Sequence, residues 1–213
     1  MKGRIVLTGI IGLFFVFSVR AQNENDFGKN IHFGLKAGVN SSNVYDEQGN
    51  DFVADAKLGY VAGAFITIPM GKFLGIQPEF LFITKGFKAT QRYLDNIYGF
   101  KRTTSHFDIP VQLQIKPLDM ITIVAGPNFS FLLAREDEFS DESSSTYTLR
   151  EEFANDNIRK NTVGFLGGLD LNFNHWLVGG RAGWDLQTNR GDGTSFSPRY
   201  KNTWLQIAAG YRF

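Results

Sequence analysis

Cysteine is absent from the 213 residues of this chain, and histidine occurs only three times. Without cysteine the fold cannot rest on disulfides, and the chain has neither thiolate metal ligands nor a cysteine nucleophile. The formal net charge is only +1, from 22 basic and 21 acidic residues, so the strongly basic surface that nucleic-acid binding requires is missing. Mean hydropathy is -0.16, which excludes a bundle of membrane-spanning helices.

Aromatic residues and glycine are abundant, in contrast. Aromatic side chains make up 15% of the chain, with 21 phenylalanines, and there are 23 glycines. This combination favours strands joined by frequent turns over helices. The length fits one all-β domain of the barrel type.

The first 21 residues have the pattern of a secretory signal peptide. Lys2 and Arg4 give a positive start, residues 5–19 form an apolar run, and small residues flank Arg20 before Gln22. The run is shorter than the roughly 20 apolar residues of a spanning helix. We therefore predict that residues 1–21 are cleaved on export and that residues 22–30 form a polar periplasmic lead-in.

Alternation with a period of two predicts eight strands. In the last of them, Leu205, Ile207 and Phe213 share one face, while Gln206 and Arg212 share the other. Such alternation is typical of strands with one apolar and one mixed face. The predicted strands are residues 31–41, 57–68, 74–85, 106–116, 121–133, 163–173, 176–187 and 201–213.

The connections between these strands alternate strictly between long and short. Tight turns are predicted at 69–72, 117–119 and 174–175, and long loops at 42–56, 87–102, 134–161 and 188–200. An up-and-down barrel places all short turns on one rim and all long loops on the other, as in outer-membrane barrels. We predict that residues 31–213 form an eight-stranded antiparallel transmembrane β-barrel with short periplasmic turns and long extracellular loops.

The mixed face carries charges of both signs, diluted by glycine. Because an eight-stranded barrel is only wide enough for side chains to fill it, these charges are expected to pair inside a plugged lumen. A secreted, soluble lipocalin-like barrel is the alternative, with its polar face in water. The predicted lumen network comprises Lys36, Glu79, Lys85, His106, Asp108, Asp170, Arg181, Asp185 and Arg212.

Candidate chemistry in the chain is sparse, and we predict no catalytic, cofactor-binding or metal-binding residues. His106 and Asp108 share the inward face, but Ser105 points to the opposite face, so no nucleophile is predicted beside them. His32 and His175 lack the spacing of metal ligands. The acidic loop 137–152 could hold divalent cations loosely, although a solvated loop is the simpler interpretation.

Five short motifs occur in a fixed order along the predicted strands: Phe33–Ser41, Gln77–Phe80 with Lys85–Phe87, Phe107–Leu113 with Lys116, Ala125–Pro127, and Ala209–Phe213. Together they resemble the PorT-like outer-membrane β-barrel family, which is widespread in the Bacteroidota. The resemblance implies the fold and an outer-membrane location, and it implies no catalytic residues. It also implies that Tyr211 and Phe213 belong to a terminal signal that the barrel-insertion machinery reads.

Three functional hypotheses remain open from the sequence. The first is a structural or surface-binding barrel, whose long loops contact an unidentified surface or envelope protein. The second is a small membrane-embedded enzyme, and the third is a narrow passive channel. In each case outer-membrane lipid is the expected surrounding, and nucleic acid is not an expected partner.

Overall fold

The computed structural model describes residues 30–45, 54–93, 96–140, 146–151, 159–189 and 200–213. The predicted signal peptide and nearly all of the predicted lead-in lie outside these residues. No helix within these described ranges is long and apolar enough to cross a membrane. The strands are β1 (His32–Tyr45), β2 (Ala54–Pro69), β3 (Leu74–Tyr93), β4 (Asn96–Leu118), β5 (Ile121–Ser140), β6 (Thr146–Glu151), β7 (Asn161–Phe173), β8 (Trp176–Asp185) and β9 (Lys201–Arg212).

Eight of these strands close into a barrel, which confirms the predicted fold class. Each barrel strand pairs antiparallel with its neighbours, and the ring runs β1, β2, β3, β4, β5, β7, β8, β9 and back to β1. The last strand therefore pairs with both β8 and β1, as the sequence predicts. Closure leaves no unpaired edge in the barrel wall. β6 lies outside the ring and pairs with the end of β5.

The two faces of the barrel wall have the predicted composition. Exposure alternates residue by residue along β8, where Val178 and Trp184 are exposed and Arg181 and Asp185 are buried. Because successive side chains of a strand point to opposite faces, the apolar face lies outside and the mixed face lines the interior. The same alternation holds in β9.

The three predicted tight turns are present and lie on one rim. They join β2 to β3, β4 to β5 and β7 to β8. Asn174 in the last turn has a φ of 52°, in the left-handed region that asparagine tolerates better than most residues. This rim is called the lower rim below, and the opposite rim is the upper rim.

The predicted long loops are shorter than the sequence analysis expects. β1 continues to Tyr45 and β2 begins at Ala54, while the hairpin of β3 and β4 fills most of 87–102. β5 continues to Ser140, and β6 is an additional strand inside the predicted loop 134–161. The prediction was wrong here because polar composition was taken to indicate a loop. The parts of the strands above the apolar outer surface of the barrel have polar side chains on their outer face. They still form backbone hydrogen-bond ladders with the neighbouring strands.

A β-bulge in the wall between β4 and β5 changes which residues face inward above it. Ser105 pairs with Ala134, but His106 pairs with Leu132, so Leu133 is an extra residue in β5. An extra residue shifts the alternation of its strand by one position. Above the bulge, Arg135 and Asp137 in β5 therefore point into the interior.

Candidate functional site in the barrel interior

The nine residues of the predicted lumen network all lie at inward positions of the barrel, and none is more than 7% exposed. They form three groups along the barrel axis. The lower group contains Lys36, Glu79, Asp170, Arg181 and Arg212, and the middle group contains Lys85, His106, Asp108 and Asp185. An upper group, absent from the predicted network, contains Arg102, Arg135 and Asp137.

The first part of the lower group is an ion pair embedded in amides. Lys36 on β1 pairs with Glu79 on β3, and the side chains of both are almost fully buried. Gln77 Nε2 donates to Glu79 Oε1 at 2.7 Å, and Gln77 Oε1 accepts from Gln114 Nε2 at 2.5 Å. The ion pair therefore has hydrogen bonds beyond its own contact, which a buried charge requires.

The second part of the lower group is built around Arg181 on β8. Its guanidinium contacts both oxygens of Asp170, at 2.8 Å and 2.9 Å, and its Nε donates to Gln112 Oε1 at 3.1 Å. Arg212 lies nearer the lower rim, where its Nη2 donates to Asn172 Oδ1 at 3.0 Å. The sequence indicates these charges but not their neutral amide partners.

The middle group surrounds Asp108 on β4. Lys85 Nζ lies 2.9 Å from Asp108 Oδ2 and 3.8 Å from the centre of the Trp204 ring. Ser130 on β5 donates to Asp108 Oδ1 at 2.5 Å and lies 3.0 Å from His106 Nδ1. Asp185 Oδ2 accepts from Asn202 Nδ2 at 2.6 Å. Ser130, rather than Ser105, is therefore the hydroxyl beside His106.

The upper group is a buried arginine–carboxylate pair. Arg102 Nε and Nη2 donate to the two oxygens of Asp137 at 2.8 Å and 2.9 Å, and Arg135 contacts the same carboxylate. Arg102 Nη1 also donates to the Tyr200 hydroxyl at 3.2 Å. Phe87 joins Tyr200 and Val44 in an apolar cluster beside the pair.

Sequence reasoning missed the upper group because it ended strand four at His106. Period-two alternation continues from His106 through Thr104 to Arg102, and that signal could have extended the strand. Asp137 and Glu138 are consequently not part of a solvated acidic loop, since Asp137 bonds Arg102 and Glu138 pairs with Lys101. Asp141, Glu142 and Glu152 lie outside the described residues, so the loose cation binding suggested for the acidic loop stays a prediction.

Apolar side chains fill the interior between the charged groups. One buried cluster contains side chains from β2, β3 and β9: Val61, Leu81, Ile83, Trp204 and Ala208. Trp204 packs so closely on Gly183 that a Cβ there would overlap the ring. The interior is thus occupied by ion pairs, amides and rings, as expected for a barrel of this strand number.

The geometry offers little for nucleophilic catalysis. A serine nucleophile needs a base that takes its proton and donors that stabilise an oxyanion. Here the Ser130 hydroxyl is bound to Asp108, which is already paired with Lys85. His32 and His175 lie near the lower rim, and His175 stacks on Tyr211 with 5.7 Å between ring centres. The described residues contain no group of three His, Cys, Asp or Glu that could hold a metal ion.

The model of the family described as "outer membrane protein beta-barrel domain" matches residues 20–187. The chain belongs to this family. Membership, together with the exposed apolar face, places the outer-membrane barrel domain in lipid and excludes the soluble lipocalin-like alternative. Leu205 and Ile207, exposed by 65% and 64%, therefore face the membrane. No curated protein sequence matches the chain.

Several solved structures are similar to this outer-membrane barrel. Ail, the attachment invasion locus protein of Yersinia pestis, solved with the heparin analogue sucrose octasulfate, has a TM-score of 0.49 and 12% identity, covering 86% of this chain and 99% of Ail. Neisserial surface protein A has a TM-score of 0.41 and 9% identity, covering 87% and 100%. The Escherichia coli protease OmpT has a TM-score of 0.41 and 9% identity, covering 87% and 97%. Identities this low carry no information on activity or ligand.

The upper group lies above the lipid-facing band of the outer-membrane barrel. On β4 the outward apolar residues end at Phe107, and Lys101 lies farther along the same face, paired with Glu138. Burial alone would raise the pKa of Asp137, but hydrogen bonds from Arg102 and Arg135 outweigh it and hold that pKa below its usual value. The carboxylate is therefore ionised at neutral pH.

Proposed function

We propose that the protein is a structural or surface-binding outer-membrane barrel that recognises its partner through the upper ends of β3, β4 and β5. The main support is that these strands continue beyond the apolar band as an ordered ladder. Lys101 pairs with Glu138 across that ladder, at the level where Arg102 pairs with Asp137 inside. A rigid ladder presents side chains in fixed positions, which suits recognition.

The interior supports a barrel that does not pass large solutes. Charged groups occupy three levels, and the apolar cluster around Trp204 lies among them. A passive channel remains the competing function. Planar-bilayer recordings of the full chain distinguish the two, because a filled interior gives no stepwise conductance, whereas steps of constant size would contradict this proposal.

Site-specific photo-crosslinking in native outer membranes tests the surface-binding role. A photoreactive amino acid replaces Lys101, which is outward and above the band, and a matched control replaces Leu113 on the same face of β4, within the band. We expect a discrete protein adduct at position 101 and only lipid adducts at position 113. Equal adduct patterns at both positions would exclude the upper ladder as a recognition surface.

A membrane-embedded enzyme is the second candidate, and the contact of Ser130 with His106 and Asp108 is the observation that favours it. Two observations argue against an enzyme. The Ser130 hydroxyl is hydrogen-bonded to Asp108, and the side chains of Ser130, His106 and Asp108 are buried. We propose that none of these residues is catalytic. Loss of a hydrolytic activity of the purified protein in His106→Ala, with the barrel still folded, would reverse this assignment.

We also propose that the protein belongs to the PorT-like branch of the family and that it is exported with a cleaved signal peptide. The motifs at Phe33–Ser41 and Phe107–Leu113 support membership of the PorT-like branch, and the pattern of residues 1–21 supports a cleaved signal peptide. Outer-membrane lipid and the insertion machinery are the partners that this route implies. N-terminal sequencing of the protein from outer membranes should begin at Gln22, and a retained Met1 would contradict the cleavage.

A further inference from the structure

Above the apolar band, the upper ends of β3, β4 and β5 continue with β6 as one sheet. β5 pairs with β7 as far as Leu132, whose N donates to Lys160 O at 2.8 Å. From Arg135 to Ser140, β5 pairs with β6 instead. These four strands therefore form an antiparallel sheet that stands above the lipid.

β6 (Thr146–Glu151) is an edge of this sheet. It pairs with β5 and with no other strand in the part of the chain that the structure describes. Successive residues of a strand direct their N–H and C=O groups to alternate sides, so about half of these groups on β6 point away from β5. Such a row of backbone groups is a template on which a further strand can form.

The edge lacks proline, lysine and a bulge, three features by which proteins commonly protect an exposed strand. β6 has the sequence Thr-Tyr-Thr-Leu-Arg-Glu, and its charged residues, Arg150 and Glu151, are confined to one end. It pairs with β5 through six consecutive residues without a register shift. Threonine and tyrosine also favour strands. These observations indicate an edge that receives a partner strand.

A second copy of this chain does not fit the edge. β6 pairs antiparallel with β5 and so shares the tilt of the wall, about 35–45° in outer-membrane barrels. Two copies that pair β6 with β6 are related by a two-fold axis, which in one membrane is the membrane normal. The two strands would then cross at twice their tilt, about 70–90°, an angle at which no ladder forms. The strand that adds to β6 therefore belongs to a different protein.

The charge of the surrounding segment favours a basic partner. Residues 134–161 contain eight acidic and four basic residues. Glu136 and Glu138 lie on β5 beside β6, opposite Arg150 and Thr148. A strand added to the far side of β6 lies about 10 Å from β5, a distance at which salt screens charges only in part. Positively charged side chains are therefore favoured on the added strand.

We propose that β6 binds an extended, positively charged segment of another protein by strand addition. Main-chain hydrogen bonds to β6 supply the affinity, and the acidic surroundings supply the preference for charge. This binding mode rests on the surface-binding role proposed above and names the way in which the partner is held. Because it uses the edge of β6 and not the outer face at Lys101, the two can fail separately.

Peptide binding to the full chain, folded in detergent micelles, tests strand addition. The probe is a fluorescent decapeptide of alternating lysine and threonine, and fluorescence anisotropy measures its binding. We expect saturable binding that weakens by about ten-fold when two adjacent central residues are N-methylated, because both edges of the peptide then lose a donor. A decapeptide of alternating glutamate and threonine should also bind about ten-fold more weakly. No binding of the lysine peptide, or equal binding of it and either of the other two, would overturn the proposal.

Substitutions in β6 separate the contribution of the main chain from that of the side chains. Of Thr148→Pro and Leu149→Pro, one removes a donor to β5 and the other removes a donor on the free edge, so peptide binding should be lost in at least one of them. Thr148→Ala is the matched control, because it keeps the main chain and should bind the peptide like the unsubstituted chain. Undiminished binding in both proline variants would overturn the proposal. A protein adduct at position 101 without peptide binding would refute strand addition and leave the surface-binding role intact.

Discussion

The indole ring of Trp204 lies over Gly183, its direct partner on the neighbouring strand. The same ring supports Lys85, whose Nζ lies 3.8 Å from the ring centre. Both contacts depend on the missing side chain of Gly183, because a Cβ there would overlap the ring. Trp204 thus couples the glycine-rich wall of β7 and β8 to the middle charged group.

Gly183→Ala should destabilise the folded barrel by about 1–3 kcal/mol, the usual cost of overpacking a filled interior. Gly180→Ala is the matched control, since Gly180 lies on the same strand, faces outward and has no atom near the position of a Cβ. Urea unfolding of the barrel in lipid vesicles, followed by tryptophan fluorescence, measures both. Equal free energies of unfolding in the two variants would mean that the indole moves aside without cost.

Lys85→Met should cost about 3–5 kcal/mol, because it leaves the buried Asp108 carboxylate without its partner. The double variant Lys85→Met with Asp108→Asn should recover a large part of this loss. Lys101→Met is the comparison, because its pair with Glu138 is about a third exposed and such pairs contribute only ~0–1 kcal/mol. Comparable losses in the buried and exposed variants would show that burial does not set the strength of these pairs.

Acid should weaken the upper group before it affects the barrel wall. The pKa of Asp137 is held below its usual value, so its contribution to stability is complete at neutral pH and is lost as pH falls below the ordinary carboxyl range. Limited proteolysis with an acid-active protease, run in parallel on the unsubstituted chain and on Asp137→Asn at a series of acidic pH values, measures this change. The cleavage rate of the unsubstituted chain should approach that of Asp137→Asn as the pH falls, and a ratio of the two rates that does not change with pH would assign the effect to another group.

The sequence alone predicted the barrel and its strand order, because alternation determines which face each residue occupies, and the nine residues predicted for the lumen all lie at inward positions. It missed the neutral partners Gln77, Gln112 and Asn128, since nothing local to an amide indicates which strand its side chain reaches. It also missed Arg102 and Asp137. The bulge at Leu133 shifts the alternation of β5, and a one-residue insertion leaves no signature in a single sequence.

Deletion of Tyr211–Phe213 should abolish assembly of the barrel. Phe213 N donates to Phe33 O at 2.8 Å and Arg212 N donates to His175 O at 2.7 Å, so these residues join the ladders on both sides of β9. Tyr211 also packs edge-on against Trp176, with 5.0 Å between ring centres. The shift in gel mobility between boiled and unboiled samples reports folding. Phe73→Ala, at an exposed lower-rim aromatic, should assemble normally, and a truncated chain with the normal mobility shift would show that closure does not require the terminal residues.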